Sequence, residues 1–310
     1  MSSDTAARYR ISQKNREGFI DRSGQIAIPP TFASVGDFAQ GLARARNDLI
    51  EDWGYIGIDG KWVIEEQFED TGNFSEGLAA VKLRGRWGYA DTSGRIAIPP
   101  RFDDAMDFHE SLAVVREDER FCYIDTNGKK VIAPQCSFAW HFSEGVAVIN
   151  IDHRGEERSL YIDRQGRRVI PVLYRSADSF SEGLAPVYTD NRQWVVIDRS
   201  GRITIQGDFQ WFSSFNENLA AFKRAQKYGY VDTAGTVIID PTFSMAYDFS
   251  EGLACVRSKG KFGFVNKRGE GVIDARFSTA EAFRNGLAEV SIGSKWAYID
   301  QSGKVVWRQA

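Results

Sequence analysis

Residues 78–110 read LAAVKLRGRWGYADTSGRIAIPPRFDDAMDFHE, and related copies of this segment fill nearly all of the 310-residue chain. The repetition of this segment therefore determines the class of fold. The position that follows its Trp-Gly pair marks each copy, and it is aromatic in every copy except one, where it is Val196. The marker positions are Phe19, Tyr55, Tyr89, Tyr123, Tyr161, Val196, Tyr230, Phe264 and Tyr298. A repeat of about 34 residues lies in the range typical of solenoids, propellers and linear arrays.

Each copy contains three short runs that favour β-strands. In the third copy these are strand A at 77–83, strand B at 87–91 and strand C at 95–98. All three are rich in β-branched and aromatic residues and are bounded by Gly or Pro, and no stretch has a sustained helical period. The sequence therefore predicts an all-β protein of nine three-stranded units.

A glycine closes the turn between strands B and C in every copy, and an Asp or Asn usually opens it three residues earlier. Asp91 and Gly94 are one such pair, while Gly57 replaces the acidic residue in the second copy. We expect the Asp side chain to accept backbone N–H bonds and the Gly to adopt positive φ. Single carboxylates one repeat apart do not supply the convergent oxygens of a calcium site, so we predict no metal site.

Two aromatic residues six positions apart follow strand C, such as Phe102 and Phe108. Regular rows of rings are typical of a core shared by stacked repeats. In the fourth copy Cys136 replaces the first ring, and we interpret it as a small buried hydrophobe.

Two architectures accommodate nine such units: an open β-solenoid, or superhelix, and a closed β-propeller. The first copy begins at strand A and the last ends after strand C, so no strand is visibly borrowed to close a ring. This favours the open array, with the propeller as the alternative, because the crossing after strand C is typical of propeller blades. We expect one array over residues 1–310. It comprises a disordered tail at 1–7, an N-terminal cap repeat at 8–40, central repeats at 41–286 and a C-terminal cap repeat at 287–310.

The composition indicates the cellular compartment of the protein and argues against two classes of binding partner. The net charge of −3 gives no general attraction to nucleic acid or anionic membranes, and we predict neither as a partner. Three cysteines without a framework spacing favour a reducing compartment. The first fifteen residues contain no apolar segment typical of a signal peptide or membrane anchor. A cytoplasmic location is therefore expected.

Copies differ in length only in the segment between strands A and B. The longest versions are NIDHRGEER at 150–158 and RNDLIED at 46–52. Insertions that collect at one loop map to one face of a repeat assembly, which is often the binding face. The alternative is that a solvated loop simply tolerates extra residues. The candidate binding residues in these loops are Arg46, His153, Arg154 and Arg158.

Charged residues recur on both sides of strand A. A basic residue precedes most strand-B aromatic positions, as at Arg86, and a Glu precedes strand A, as at Glu76. The cations could form a track for an acidic peptide. Acidic residues such as Glu117, Asp118 and Glu119 share the same loops, however, and favour a mixed, salt-bridged surface.

The tryptophans fall into two groups. Trp53, Trp87, Trp194 and Trp296 occupy the repeat's own Trp position, whereas Trp62, Trp140, Trp211 and Trp307 do not. Aromatic residues outside the repeat pattern are the better candidates for binding hot spots. We select Trp140, its neighbour His141, and Trp211.

No catalytic constellation is recognisable. The three histidines lack metal-ligand spacing, and no Walker A, dinucleotide or Gly-x-Ser-x-Gly motif occurs in a suitable context. Cys122 with His141 is conceivable as a nucleophile and base, but both residues occupy repeat positions that small or neutral residues normally fill, which favours inert substitutions. We therefore predict a non-enzymatic protein without a cofactor.

The segments EDWGYIGIDGKWVI, GRWGYADTSGRIAIPPRFDDAMDF and NFSEGLAAV resemble the WG-repeat (KWG-repeat) family of bacterial proteins. The resemblance covers about residues 8–307, and it implies a bacterial repeat scaffold without agreed catalytic residues. The chain departs from the pattern at Glu17, Phe121–Cys122, Ser159–Leu160 and Trp194–Val195. These departures are interpreted as an N-terminal cap and an irregular middle.

Three functions remain open. The first is a non-enzymatic scaffold that docks a protein or peptide on the face carrying the A–B loops. The second is a carbohydrate or cell-wall binding module that uses exposed aromatic residues. The third is an enzyme with an unrecognised site.

Overall fold

The computed structural model describes residues 7–47 and 51–309, and all regular structure in them is β. The tail expected at residues 1–7 lies outside the described residues except for Ala7. The strands form nine small antiparallel sheets, so the all-β repeat class is confirmed.

The first five sheets contain β1 to β18. Their bounds are: β1 Tyr9–Gln13, β2 Arg16–Ile20 and β3 Ile26–Phe32; β4 Ser34–Val35, β5 Leu42–Arg46, β6 Trp53–Gly57 and β7 Trp62–Phe68; β8 Asp70–Thr71, β9 Leu78–Leu83, β10 Arg86–Asp91 and β11 Ile96–Phe102; β12 Asp104–Ala105, β13 Leu112–Glu117, β14 Arg120–Asp125 and β15 Lys130–Ile132; β16 Phe138–Ala139, β17 Val146–His153 and β18 Glu156–Asp163.

The last four sheets contain β19 to β33. Their bounds are: β19 Ser176–Ala177, β20 Leu184–Tyr188, β21 Trp194–Asp198 and β22 Ile203–Ile205; β23 Trp211–Phe212, β24 Leu219–Arg224, β25 Lys227–Asp232 and β26 Val237–Phe243; β27 Met245–Ser250, β28 Leu253–Ser258, β29 Lys261–Asn266 and β30 Gly271–Phe277; β31 Leu287–Ile292, β32 Lys295–Asp300 and β33 Val305–Arg308.

Most sheets have four strands, not the three that were expected. The additional strand, which we call strand S, comes from the crossing segment that follows strand C of the preceding copy. In the third sheet it is β8, where Asp70 pairs with Lys82 and Thr71 with Val81 on strand A. The expectation of three strands in every unit was therefore wrong, although the first and last sheets do have three. An S-A-B-C meander is a propeller blade, so the sheets follow the β-propeller alternative and not the solenoid that was favoured.

The chain divides into two compact units. One comprises residues 1–152 and 162–167, and the other comprises residues 153–161 and 168–310. Within each unit the core lies between consecutive sheets. In the first unit, for example, Tyr89, Ile98 and Phe102 of the third sheet pack with Val115 and Ile124 of the fourth.

The paired aromatic residues form this core as predicted. Phe102 and Phe108 are both fully buried, and the Phe108 ring is 4.8 Å from that of the buried Tyr89 on strand B. The Tyr89 hydroxyl also donates to the Met106 carbonyl at 2.7 Å. Cys136, expected to be buried, is only partly so.

The recurring Ser-Glu-Gly sequence before strand A joins one copy to the next. The Ser75 hydroxyl donates to the Phe108 carbonyl at 2.6 Å, and the Glu76 carboxylate accepts from the Ser111 N–H at 2.7 Å. Glu217 accepts from the Gly252 N–H in the same way, at 3.1 Å from one of its oxygens. The row of glutamates is therefore a set of links between copies.

The B–C turns have the predicted Asp and Gly roles. Asp91 Oδ1 accepts from the backbone N–H groups of Ser93 at 2.9 Å and Arg95 at 3.2 Å. The side-chain hydrogen bond from Ser93 is the main cause that lowers the pKa of Asp91 to about 2. Gly94 has φ of 84° and lies against Ile64 of the preceding copy, so both its backbone and its surroundings exclude a side chain.

The glycine of the Trp-Gly pair determines the length of strand C. A Cβ on Gly88 would lie 2.5 Å from the Ile98 carbonyl oxygen and 2.7 Å from the Pro100 nitrogen, because strand C bulges across strand B at this point. The five sheets that keep this glycine have seven-residue C strands. Where Cys122, Val195 and Ala297 replace it, β15 and β22 have three residues and β33 has four. In the middle of the chain, strand C is therefore shortened in the fourth and sixth copies, and the fifth sheet, where Leu160 replaces the glycine, has no strand C among the described residues.

Candidate binding surface at the S strands

Strand S lies at a defined position relative to the A–B turn. In most sheets its first residue pairs with the last or next-to-last residue of strand A, as Trp211 does with Lys223 and Met245 with Arg257. In the fifth sheet Phe138 pairs with Asn150, three residues before the end of the longer β17. Outside the fifth sheet, the first residue of strand S therefore lies close to the A–B turn of its own sheet.

The copies agree over strands A and B but differ in the residues of and just after strand S. The third residue from the start of this segment changes in size, charge and polarity from copy to copy. These residues are Gly36, Gly72, Met106, Trp140, Asp178, Ser213, Tyr247 and Glu281. These residues also differ in burial: Trp140 and Tyr247 are 45% and 44% exposed, whereas Ser213 is buried.

The A–B connections are mostly tight two-residue turns. Arg84 and Gly85 have φ of 53° and 75°, and Arg154 and Gly155 have φ of 59° and 80°. The insertion at 150–158 was expected to form a loop, but it lengthens strands β17 and β18 to eight residues each. This expectation was wrong because the added residues continue the pairing pattern up to the turn.

The candidate residues of this hairpin differ in accessibility. His153 and Arg154 are exposed at its tip. The Arg158 side chain is only 12% exposed and forms ion pairs with Glu156 and Asp190. Arg158 therefore supports the hairpin base, whereas His153 and Arg154 are available to a partner.

Arg46 lies at the A–B end of the second sheet. Its guanidinium carbon is 5.1 Å from the centroid of the Trp53 ring, and that of Arg44 is 4.8 Å away. Arg46 Nε is buried without a hydrogen bond among the described residues. The adjoining loop residues 48–50 of the predicted 46–52 insertion lie outside the described residues.

The basic row near these turns is paired with acidic and polar groups. Arg86 forms an ion pair with Asp103, and Lys261 Nζ lies 3.3 Å from the Ser278 hydroxyl. Lys130, which lies on strand C and not in this row, pairs with Glu117 of strand A at 2.8 Å. These contacts agree with a mixed, salt-bridged surface.

Trp140 and His141 follow the S strand of the fifth sheet, in the first unit. Trp140 is 45% exposed, and its ring is 4.9 Å from that of Phe138. The His141 ring stacks on His109 at 4.3 Å. Burial and the adjacent His109 lower the pKa of His141, so the stacked pair favours neutral imidazole on His141.

Two of the four off-pattern tryptophans have packing roles. Trp62 packs on Phe32 with ring centroids 5.7 Å apart, and Trp307 packs on Trp296 at 5.5 Å. The other two, Trp140 and Trp211, lie at S segments. Trp140 belongs to the first unit and Trp211 to the second.

Trp211 lines a cavity of about 510 Å³ in the second unit. Its ring is 6.0 Å from that of Tyr228, in an edge-to-face arrangement. The remaining lining residues are Asp178, Ser213, Ser214, Met245, Ala246, Tyr247 and Asp248. Tyr247 is 44% exposed at the cavity wall.

Two carboxylates in this lining lack a cationic partner. The Asp178 side chain forms no hydrogen bond or ion pair among the described residues, and burial alone raises its pKa to about 6. Asp248 accepts a hydrogen bond from Asn216 Nδ2 at 3.1 Å, and burial also raises the pKa of Asp248. The sequence pattern predicted Trp211 as a binding residue but not the two aspartates. The only feature that could have indicated them is their position in the variable S segments.

A second cavity, of about 770 Å³, lies in the first unit where the fourth copy has a short strand C. Cys122 and Cys136 both line it, and burial raises the pKa of each thiol. Raised thiol pKa values disfavour the thiolate that a nucleophile needs. Among the described residues, Cys122 forms no hydrogen bond with His141, so the two are not arranged as a nucleophile and its base.

The described residues contain no group of three or more His, Cys, Asp or Glu side chains placed to hold a metal ion. Within residues 7–47 and 51–309 there is also no membrane-spanning helix.

Several solved structures are similar to this chain at low identity. BamB from Moraxella catarrhalis is 13% identical, with a TM-score of 0.48 and coverage of 96% of this chain and 98% of that one. Apo AztD from Citrobacter koseri is 13% identical, with a TM-score of 0.42 and coverage of 98% and 94%. Hsv2 from Kluyveromyces lactis is 9% identical, with a TM-score of 0.40 and coverage of 87% and 94%. A search of curated proteins found no match.

The profile of the WG containing repeat matches the chain eight times, at residues 18–48, 53–87, 87–121, 123–152, 161–192, 194–228, 228–262 and 262–296. These segments include the Trp-Gly pairs and the Ser-Glu-Gly links described above, and together they span most of the sequence. The chain therefore belongs to the WG containing repeat family.

Proposed function

We propose that this protein is a non-enzymatic scaffold that docks a protein or peptide partner through its S segments and the adjoining A–B turns. The observation that carries the proposal is the chemical variation of the S segments, in contrast to the core rings and the B–C turns, which recur from copy to copy. Two of the variable residues, Trp140 and Tyr247, are large aromatic side chains that are nearly half exposed, which suits a binding surface.

The predicted A–B face and the S segments belong to one proposed surface within the second unit. Trp211 pairs with Lys223, which is two residues before the Ala225–Gln226 turn. The exposed hairpin tip with His153 and Arg154 supplies polar contacts in the same unit. We propose a cytoplasmic location, because free Cys122, Cys136 and Cys255 suit a reducing compartment.

The test is selection from a random peptide library displayed on phage, with the full chain immobilised. Enriched peptides are synthesised, and their dissociation constants are measured by fluorescence anisotropy. We expect Trp211→Ala to weaken binding at least about tenfold, as truncation of an aromatic hot spot does.

The matched control is Ile238→Ala, which removes an exposed apolar side chain from strand C of the same sheet. Binding should survive this change. Failure to enrich any peptide over a blank surface would refute the proposal, as would binding that depends on Ile238 and not on Trp211.

A carbohydrate ligand is the second candidate, because Trp211, Tyr228 and Tyr247 line one cavity together with the Ser213 and Ser214 side chains. Sugars stack on such rings and accept or donate hydrogen bonds at their edges. Trp62, another off-pattern tryptophan, packs against Phe32. Retention on an immobilised neutral polysaccharide that is lost in Trp211→Ala would favour this second function.

A further inference from the structure

We infer that the cavity lined by Trp211, Tyr228, Tyr247, Asp178 and Asp248 binds a positively charged group, the ammonium or guanidinium of a basic side chain on the partner. This inference rests on the proposed docking function and names the chemistry that the cavity recognises.

The rings give the first argument. Trp211, Tyr228 and Tyr247 present aromatic surface to one space of about 510 Å³, and Met245 adds a polarizable thioether. Cations are attracted to the faces of Trp and Tyr rings, most strongly where water is displaced. A cavity of this size holds the end of one long side chain.

The carboxylates give the second argument. Asp178 and Asp248 line the same space, and neither forms an ion pair among the described residues. A half-buried carboxylate without a cation is costly, and it is normally paired or neutralised. A bound cation would supply the counter-charge that this chain does not provide there.

The chain's own nearby cations do not fill the cavity. Lys223 Nζ lies 5.6 Å from the centroid of the Tyr228 ring, but Lys223 is not among the lining residues. Arg257 affects the ionisation of Tyr247, yet its guanidinium lies over the Phe262 ring at 5.6 Å. Both leave the space beside the two aspartates open to a ligand.

The two cavities differ in the charge of the residues that line them. The cavity around Cys122 and Cys136 is lined by both cations and anions, including Arg120, Lys130 and Glu117. The cavity at Trp211 contains acidic residues and no basic residue in its lining. Its charge therefore selects for a cationic group.

The experiment is ligand-observed saturation-transfer NMR with the full chain. The probe is Nα-acetyl-trimethyllysine methylamide, and its control is the neutral isostere in which carbon replaces the quaternary nitrogen. The two differ only in charge, so preference for the cation isolates the electrostatic and cation–π contribution. Lysine and arginine versions show which basic side chain fits best.

The variants separate the two arguments. Asp178→Asn and Trp211→Ala should each weaken probe binding by about tenfold. Asp240→Asn removes an exposed carboxylate from strand C of the same unit and should leave binding unchanged. Circular dichroism of each variant verifies that the fold is retained.

Equal saturation of the charged probe and its isostere would overturn the inference. Binding of a neutral oligosaccharide that needs Trp211 but not Asp178 would overturn it as well. If selected peptides bind through Trp211 yet contain no required basic residue, the docking function stands and the cation inference fails. If no peptide binds, the docking function itself fails.

Discussion

At the scale of single residues, Gly88 shows how a backbone crossing fixes an amino acid. Its missing Cβ leaves room for the Ile98 carbonyl and the Pro100 nitrogen, which are backbone atoms and cannot move aside. The Trp-Gly pair that gives the repeat its name is thus a packing requirement of strand C.

We expect Gly88→Ala to lower the free energy of unfolding by about 2–3 kcal/mol, because overpacked sites force backbone shifts. Urea denaturation measures the change. Gly271→Ala is the matched control, since a Cβ at this strand glycine would meet nothing within 4 Å. Equal destabilisation by the two changes would contradict the crossing argument.

Glu217 links two copies through its carboxylate, and its contribution depends on pH. Burial opposes ionisation, but hydrogen bonds from Lys267 and the Gly252 N–H outweigh it and lower the pKa of Glu217. A carboxyl with a depressed folded-state pKa stabilises the fold above its unfolded pKa and loses that effect as pH falls.

Glu217→Gln should therefore cost about 1 kcal/mol of unfolding free energy at pH 7, and the cost should fade towards pH 3. Thermal unfolding across this pH range measures it. Glu65→Gln, at an exposed strand-C residue without a hydrogen bond or ion pair among the described residues, should change little. A pH-independent cost for Glu217→Gln would rule out the charged link.

The pKa of Asp178 is shifted in the opposite direction to that of Glu217, so its effect on stability depends on pH in the opposite way. Its folded-state pKa of about 6 lies above the ordinary value of 3.8, so the folded protein binds more protons than the unfolded chain between these values. Stability from this group is therefore lost as pH rises from about 4 to about 6.

Asp178→Asn should raise the melting temperature above pH 6 and have little effect near pH 4. The gain corresponds to on the order of 1 kcal/mol, with solvent screening reducing the full linkage value. Calorimetry at several pH values measures it. A lower melting temperature at pH 7.5 would show that the carboxylate has a partner, and the ligand argument would then lose its basis.

Residue types predicted the local turns well. Asp91 and Gly94 have the predicted roles, because the hydrogen bonds and positive φ of a turn depend on neighbours in sequence. The requirement at Gly88 was not predicted, since it arises from a strand that returns across it after ten residues. Local patterns do not report such crossings.

At the scale of elements, the sheets differ mainly in strand C. Phe102 pairs with Trp87 at the far end of β11, whereas β15 ends at Ile132 and Cys136 is outside any strand. The difference follows from Cys122, which occupies the place of the Trp-Gly glycine.

We expect the amide of Phe102 to exchange hydrogen slowly and that of Cys136 to exchange fast, because unpaired backbone opens easily. Mass-spectrometric hydrogen exchange compares the two segments. Tyr174 is an internal control: its N–H bonds to the Ser159 carbonyl at 3.0 Å, so it should exchange slowly although no strand C precedes it. Equal protection of Phe102 and Cys136 would contradict the strand assignment.

Strands A and B were predicted to within a residue in the third copy, because Gly and β-branched residues mark their ends. Strand S was missed. It has two residues in most sheets and little composition in common between copies, as Asp70–Thr71 and Trp211–Phe212 illustrate. Its pairing depends on the next copy, so only the tertiary structure defines it.

At the scale of the whole molecule, the repeat separates stability from recognition. Rings, turns and glutamate links recur in copy after copy, whereas the S segments vary. The sequence identified Trp140, His141 and Trp211 because they depart from the pattern. The sequence also predicted Arg158 as a binding residue, but its ion pairs with Glu156 and Asp190 give it a role in supporting the hairpin.

Site-specific photocrosslinking tests the proposed surface most directly. Benzoylphenylalanine replaces Tyr247 or Trp140 at the S segments, and Val272 or Val131 on strand C, in the full chain expressed in cells. The paired sites are matched in exposure, at 44% each for Tyr247 and Val272 and at 45% and 43% for Trp140 and Val131. We predict protein adducts from position 247, 140 or both, and none from 272 or 131. Adducts from the strand-C positions alone would contradict the account.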